Sequence, residues 1–259
     1  MKNIFKNLSA ICFFMGIFLF GSLMNSVHSL TIVLDPGHGG NENFGCHRKY
    51  DGQVIKEGNL NYKIASFIKY ELAKYKTKDG KKINVYLTRN NLNNPTLLER
   101  TNLAVKVNAD VLISLHNNST PSSEHDYRGS MVLVTSSNFN NKYAMEEQLA
   151  KSILNELKKI GLQIQTKDNI LGKAKNTNGL LRRLSDNSAV YPNGDPTDWY
   201  GIIRQGIRKN IPSILIEHAY LSNEKDYREF LSTDNKLKKI AKADAAAIVK
   251  YYKLTLSKP

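Results

Sequence analysis

Three short apolar runs in this chain each end in side chains that can do chemistry. Thr31-Ile32-Val33-Leu34 leads into Asp35-Pro36-Gly37-His38-Gly39-Gly40. Val111-Leu112-Ile113-Ser114-Leu115 leads into His116-Asn117-Asn118-Ser119, and Ser213-Ile214-Leu215-Ile216 into Glu217-His218. A fourth group, Glu57, opens a helical pattern, where the helix dipole favours a carboxylate. In open α/β sheets ligands sit outside the carboxyl ends of the strands, so His38, His116 and Glu217 are expected to converge on one crevice that Glu57 also faces. Two neutral imidazoles and one carboxylate suit Zn²⁺ and leave one coordination position open. A second, unligated carboxylate can then act as general base. Taken singly, a strand-end histidine reads as a hydrogen-bonded structural residue, and Glu57 as a helix-start charge. Glu217 is harder to dismiss, because it follows Ile-Leu-Ile, where an unpaired carboxylate is costly. From the residues alone, a metal hydrolase and a set of unrelated structural groups both stay open.

The elements that must hold these groups are visible in the periodicity. Leu60, Ile64, Ile68 and Leu72 recur at spacing four and predict a helix. Residues 82–88 alternate like a strand, and residues 95–107 and 144–160 carry helical stripes, the second stopped by Gly161. Residues 129–135 read as a further strand and 237–252 as a closing helix. Strands alternating with helices predict an α/β fold, one domain with a twisted, mostly parallel sheet flanked by helices. The stretch from Gln165 to Gly201 is rich in Asn, Gly, Asp, Thr and Pro and reads as a long irregular insert, which in a compact domain is more often functional than a linker.

Composition bounds the answer. The 259 residues are 41% hydrophobic and 23% charged, which excludes disorder as the main state. Two cysteines exclude a disulfide framework and a zinc-finger array. Residues 1–29 read as a secretory signal: Lys2 and Lys6, an apolar run from Leu8 to Met24, then Val27-His28-Ser29 as cleavage site. An uncleaved anchor is the alternative, and only then is the membrane a partner. Either way the chain is exported, and cleavage removes Cys12 and leaves Cys46. The net charge of +14 reads either as a patch for an anionic surface or as a solvated lysine-rich face, and no aromatic-interleaved basic motif argues for nucleic acid. PGHGG lacks the lysine of a phosphate-binding loop and the spaced glycines of a dinucleotide loop.

LDPGHGG, KEGNL, LTR, LLERTNLAVKVNAD, ISLHNNS and ILIEHAYLSN occur in this order. The set resembles the zinc-dependent N-acetylmuramoyl-L-alanine amidases of bacterial cell-wall turnover, over nearly the whole chain after residue 30. The resemblance implies a catalytic domain at 30–259, with His38, Glu57 and His116 as zinc ligands and Glu217 as the catalytic carboxylate. It implies peptidoglycan as substrate, cut between N-acetylmuramic acid and L-alanine, and a secreted, cell-wall location with anionic wall polymers as a further partner. Glu42 rivals Glu57, but it falls in a loop, whereas the family's ligand starts a helix. Arg100 and Asn102 read as structural, Ser222-Asn223 as fixing the turn after Glu217, and Asp35 as hydrogen-bonding a ligand imidazole. His218 should point to the opposite face of its strand. His47 and His125 should be exposed, and Cys46 inert. The block NSAVYPNGDPTDWYGIIRQ lengthens the span from His116 to Glu217. It either walls a substrate groove, with Tyr191, Trp199, Tyr200 and Arg204 as sugar or peptide contacts, or it is a loop pinned to the core by Trp199 and Ile202. A zinc peptidase acting on stem peptides and a non-catalytic wall-binding module are the alternatives. Retention of all four acidic and imidazole groups argues against the second.

Overall fold

In a computed structural model of the chain the described residues are 29–121, 127–166 and 174–257. The expected export signal, apart from Ser29, lies outside them. Seven strands form the central sheet: β1 (Thr31–Pro36), then β5 (Asn84–Leu87), β6 (Val111–Asn118), β7 (Met131–Leu133), β8 (Ala174–Thr177), β9 (Leu180–Arg183) and β10 (Ser213–Tyr220). Two small ribbons stand apart from it, β2 (His47–Tyr50) with β3 (Gln53–Lys56), and β4 (Tyr75–Lys76) with β11 (Thr255–Leu256). The spatial order is β5-β1-β6-β10-β7-β9-β8. From β5 to β10 neighbours are parallel; β7 then runs antiparallel to β10, β9 parallel to β7, and β8 antiparallel to β9. The expected mostly parallel α/β sheet is therefore present.

Both faces of the sheet are covered, which is why β1 and β6 read as nearly unbroken apolar runs. Ile32, Leu34, Ile113, Leu115, Ile214 and Ile216 point to one side. There they meet α1 (Glu57–Leu72), α3 (Tyr143–Lys159) and α6 (Asp234–Tyr252). Val33, Leu112, Leu133 and Leu215 point to the other. That side is closed by α2 (Leu97–Lys106), through Ala104, and by α4 (Gly201–Arg208), through Ile202, Ile203 and Ile207. Helix α2 starts on a capping box, Thr96 with Glu99. A single turn, α5 (Glu224–Asp226), follows β10, capped by Asn223. Side chains alternate along a strand, so Asp35, Ser114, His116 and Glu217 are sent to the α2/α4 side, and His218 to the α6 side.

The segment expected to be an irregular insert is not wholly irregular. Asn178 (φ 51°) and Gly179 (φ 85°) make a tight turn that folds β8 onto β9, and β9 adds to the sheet beside β7. Its last residue begins α4. No helix among the described residues is long and apolar enough to cross a membrane.

Candidate metal centre

The loop after β1 is held against β6 by its own backbone, Gly37 N donating to Leu115 O at 2.9 Å. A Cβ on Gly37 would lie 2.1–2.6 Å from atoms of the His116 ring, so only glycine lets this loop pass. His38 itself takes a left-handed backbone (φ 60°), which turns its side chain back over the strand ends. A second tight approach is made by Gly45 (φ 73°), whose Cβ would fall 2.4 Å from Glu57 Oε2. Glu57 is the first residue of α1 and is buried.

Its two oxygens divide the work. Oε1 lies 3.1 Å from His116 Nδ1 and accepts from Asn117 N and Asn61 Nδ2, each at 3.2 Å. Oε2 lies 3.3 Å from His38 Nε2 and accepts from Cys46 N at 3.0 Å. The two imidazoles stand edge to face, 5.0 Å between centroids and 80° between planes. One donor atom from each of His38, Glu57 and His116 lies within 4.8 Å of the others. Burial alone would raise the Glu57 pKa; hydrogen bonds and charge from His116 and His38 reverse this and hold it well below the usual carboxylate range. For His38 burial works against the proton, and Glu57 outweighs it, so the imidazole pKa rises. Two half-buried imidazoles around a buried carboxylate are a donor set that fits a divalent ion such as zinc.

Glu217 pairs in register with His116 across β10 and β6, so both side chains leave the sheet on one face. Its Oε2 is shielded from solvent and has no hydrogen-bond partner among the described residues. Burial, then the Glu57 charge, pushes its pKa well above the ordinary value.

A family model described as N-acetylmuramoyl-L-alanine amidase matches residues 32–250. The chain belongs to this family. AmiC of Escherichia coli O6:H1, an N-acetylmuramoyl-L-alanine amidase, is 26% identical over 233 residues, 86% of this chain and 53% of AmiC. The chain thus spans about half the length of the curated relative it matches. Among solved structures, Cwp6 from Clostridium difficile superimposes with a TM-score of 0.64 at 23% identity, over 86% of this chain and 29% of Cwp6. The catalytic domain of CwlV, an N-acetylmuramoyl-L-alanine amidase from Bacillus (Paenibacillus) polymyxa, gives 0.60 at 21%, over 87% and 99%. At these identities the two structures show a shared fold.

In this member of the amidase family the loops of the site are braced by two buried arginines. Arg89 donates to Pro36 O (2.7 Å), Gly37 O (3.1 Å) and Gly58 O (2.7 Å). Arg100 donates to Pro36 O and His38 O, each at 2.9 Å. Asp35 does not reach an imidazole, contrary to expectation. Its Oδ1 accepts from Arg100 Nη1 (2.7 Å) and Thr88 Oγ1 (2.5 Å), and its Oδ2 from Ser114 Oγ (2.7 Å). Arg89 and Asn61, absent from the expected site, are signalled in sequence only by LTR and by Asn61 standing one helical turn after Glu57. Glu42 is exposed and outside the donor cluster, and His47 is exposed; His125 lies outside the described residues. Burial and the Glu57 charge push the Cys46 thiol far up, so it stays protonated. Ser222 Oγ accepts from Thr120 N at 2.9 Å and so ties the turn after β10 to β6.

A pocket of about 380 Å³ opens beside the centre, lined by His38, His116, Asn94, Leu97, Arg100 and Tyr200 among others. The insert supplies Tyr200 to it. Tyr191 is not a groove residue: it is 1% exposed and its hydroxyl donates to Asp198 Oδ2 at 2.7 Å. Arg204 spends its guanidinium on the carbonyls of Asp198 (2.6 Å) and Trp199 (2.9 Å). Trp199 is exposed and stacks with Arg183 at 3.9 Å, while Ile202 does the pinning to the core.

Proposed function

We propose that residues 30–259 form a zinc-dependent hydrolase that cuts the amide between N-acetylmuramic acid and L-alanine in peptidoglycan and frees stem peptides from the glycan. The observation that supports this best is the meeting of His38, Glu57 and His116 within 4.8 Å, next to a carboxylate whose Oε2 has no partner among the described residues. Those three side chains hold the zinc, and Glu217 is the general base. When bound, the metal supplies Lewis acidity to a water and to the scissile carbonyl. Glu217 removes the proton of the attacking water as the C–O bond forms, keeps it, and delivers it to the L-alanine nitrogen as the C–N bond breaks. A burial-raised pKa suits a group that must hold a proton between two steps. Tyr200 and Leu97 shape the pocket in which the substrate lies. Residues 1–29 carry the chain out of the cell to the wall. There the +12 charge of residues 30–259, which is +14 without Lys2 and Lys6, attracts anionic wall polymers, an attraction that salt weakens.

Incubation of purified peptidoglycan with the protein, followed by mass spectrometry, tests the reading. Stem peptides with a free L-alanine amino terminus should appear, a chelator should abolish them, and added zinc should restore them. Products cut between stem-peptide residues, or cleavage indifferent to the chelator, would overturn it.

A further inference from the structure

We infer that Asp244 and His218 form a positioning pair behind the site, which fixes Glu217 relative to His116; this rests on the roles proposed above for those two residues. His218 follows Glu217 in β10 and points the opposite way, into the layer between sheet and α6. It is fully buried there, and so is Asp244 of α6. Its Nδ1 lies 3.0 Å from the backbone carbonyl of His116, and its Nε2 lies 2.8 Å from Asp244 Oδ2. A carbonyl oxygen can only accept, so Nδ1 carries a proton and donates to it. One chain of contacts therefore runs from the closing helix through the imidazole to the backbone of a proposed metal ligand.

Its location gives this chain its function. β6 and β10 keep parallel register up to the pair Glu217↔His116, and then resume one residue out of step at Tyr220↔Asn118. An extra residue in one strand loosens the ladder and re-aims the side chains beside it. The His218 bond crosses from β10 to β6 at the edge of this irregularity, where backbone pairing constrains least. Two apolar side chains would fill the same space without desolvating a carboxylate. The polar pair adds what they cannot, a directional bond to the peptide that carries His116. Ser130 Oγ donates to the His218 carbonyl and secures the same residue from the β7 side.

Zinc affinity, measured by competition with a chromogenic chelator, and kcat and KM at saturating zinc test the pair in His218→Ala, His218→Gln and Asp244→Asn. Outer partners of metal ligands are worth roughly 10- to 100-fold in affinity or activity. His218→Ala and Asp244→Asn should each lose zinc affinity and kcat in that range, with KM unchanged within about twofold. His218→Gln, which keeps a donor for the carbonyl, should recover most of the loss. Ile248→Ala, also in α6 and buried, should lower Tm without touching zinc affinity or kcat. A folded His218→Ala or Asp244→Asn protein with wild-type zinc affinity and wild-type kcat overturns the inference. Should His218→Ala fail to fold, Asp244→Asn decides alone. Should the wild-type protein leave the glycan–peptide amide uncut, the functional reading falls and the affinity measurement still decides the pair.

Discussion

Around β10, carboxylates are treated in two opposite ways. On the β7 side three buried ones are saturated with donors. Asp198 accepts from Ser136 N, Thr135 Oγ1 and Tyr191 OH, all at 2.7 Å. Asp226 accepts from Arg128 Nε, Gly129 N and Tyr220 N at 2.8–3.0 Å. Glu146 accepts from Thr135 N (2.9 Å) and Ser213 N (2.8 Å), one on each oxygen. On β10 itself, level with His116, Glu217 leaves one oxygen without a donor among the described residues. A carboxylate with donors on both oxygens ties segments together. An unsatisfied one costs the fold free energy and is poised to take a proton.

The strongest way to break that contrast is Glu217→Gln. Loss of a positioned general base should cost about 10²–10⁴ in amide release, read by mass spectrometry of digested peptidoglycan. Stability should not fall, because no hydrogen bond to Oε2 is lost. Full activity, or a marked drop in Tm, would place Glu217 with the holding group instead. Asp198→Ala should do the reverse. It orphans two donors and frees Tyr191, and should cost about 3 kcal/mol in denaturant unfolding while the folded fraction keeps its activity. A loss under about 1 kcal/mol would mean that the insert is not anchored through Asp198.

The same contrast explains what could be read from the chain beforehand. Strands β1, β6 and β10 are apolar runs that end abruptly in polar motifs, so their existence and the side on which their polar ends gather follow from alternation. Glu57 at the head of α1 is legible for the same kind of local reason. The holding side is different, because its partners are distant in sequence. Asp35 reads as an imidazole partner because nothing local shows that Arg100, 65 residues on, folds over it. The sequence leaves Tyr191 open between a groove contact and part of a pinned loop, because its burial depends on how Asp198, which accepts from its hydroxyl, docks onto Thr135. Strand β8, Ala-Lys-Asn-Thr, has no apolar signature since it lies at the sheet edge. The one signal that was available, Asn178-Gly179 with leucines beyond it, is a hairpin turn.

Glu146 sharpens the comparison with the smallest effect, since it stands between the two classes. Both its oxygens are bonded to backbone N–H groups, which favour the anion, yet burial outweighs them and its pKa is pushed up to about 8. A carboxyl that keeps its proton up to about 8 when folded, against an ordinary 4.5, adds stability that is complete below the lower value. That contribution drains away as pH climbs through the window and is gone above the upper one. Glu146→Gln cannot titrate, and it leaves one of the two N–H donors without an acceptor, so it should be less stable than the wild type by about 1–3 kcal/mol at pH 5. By pH 9 the wild type should have lost roughly 4 kcal/mol relative to Glu146→Gln, enough to close or reverse that gap, measured by denaturant unfolding at each pH. A gap that stays flat from pH 5 to pH 9 instead would mean that Glu146 is already ionised across this range in the folded protein, with the two N–H bonds prevailing over burial. It would then be one more carboxylate held by donors on both oxygens, as Asp198 is, and among the described residues Glu217 would stand alone as the carboxylate whose surroundings push its pKa up.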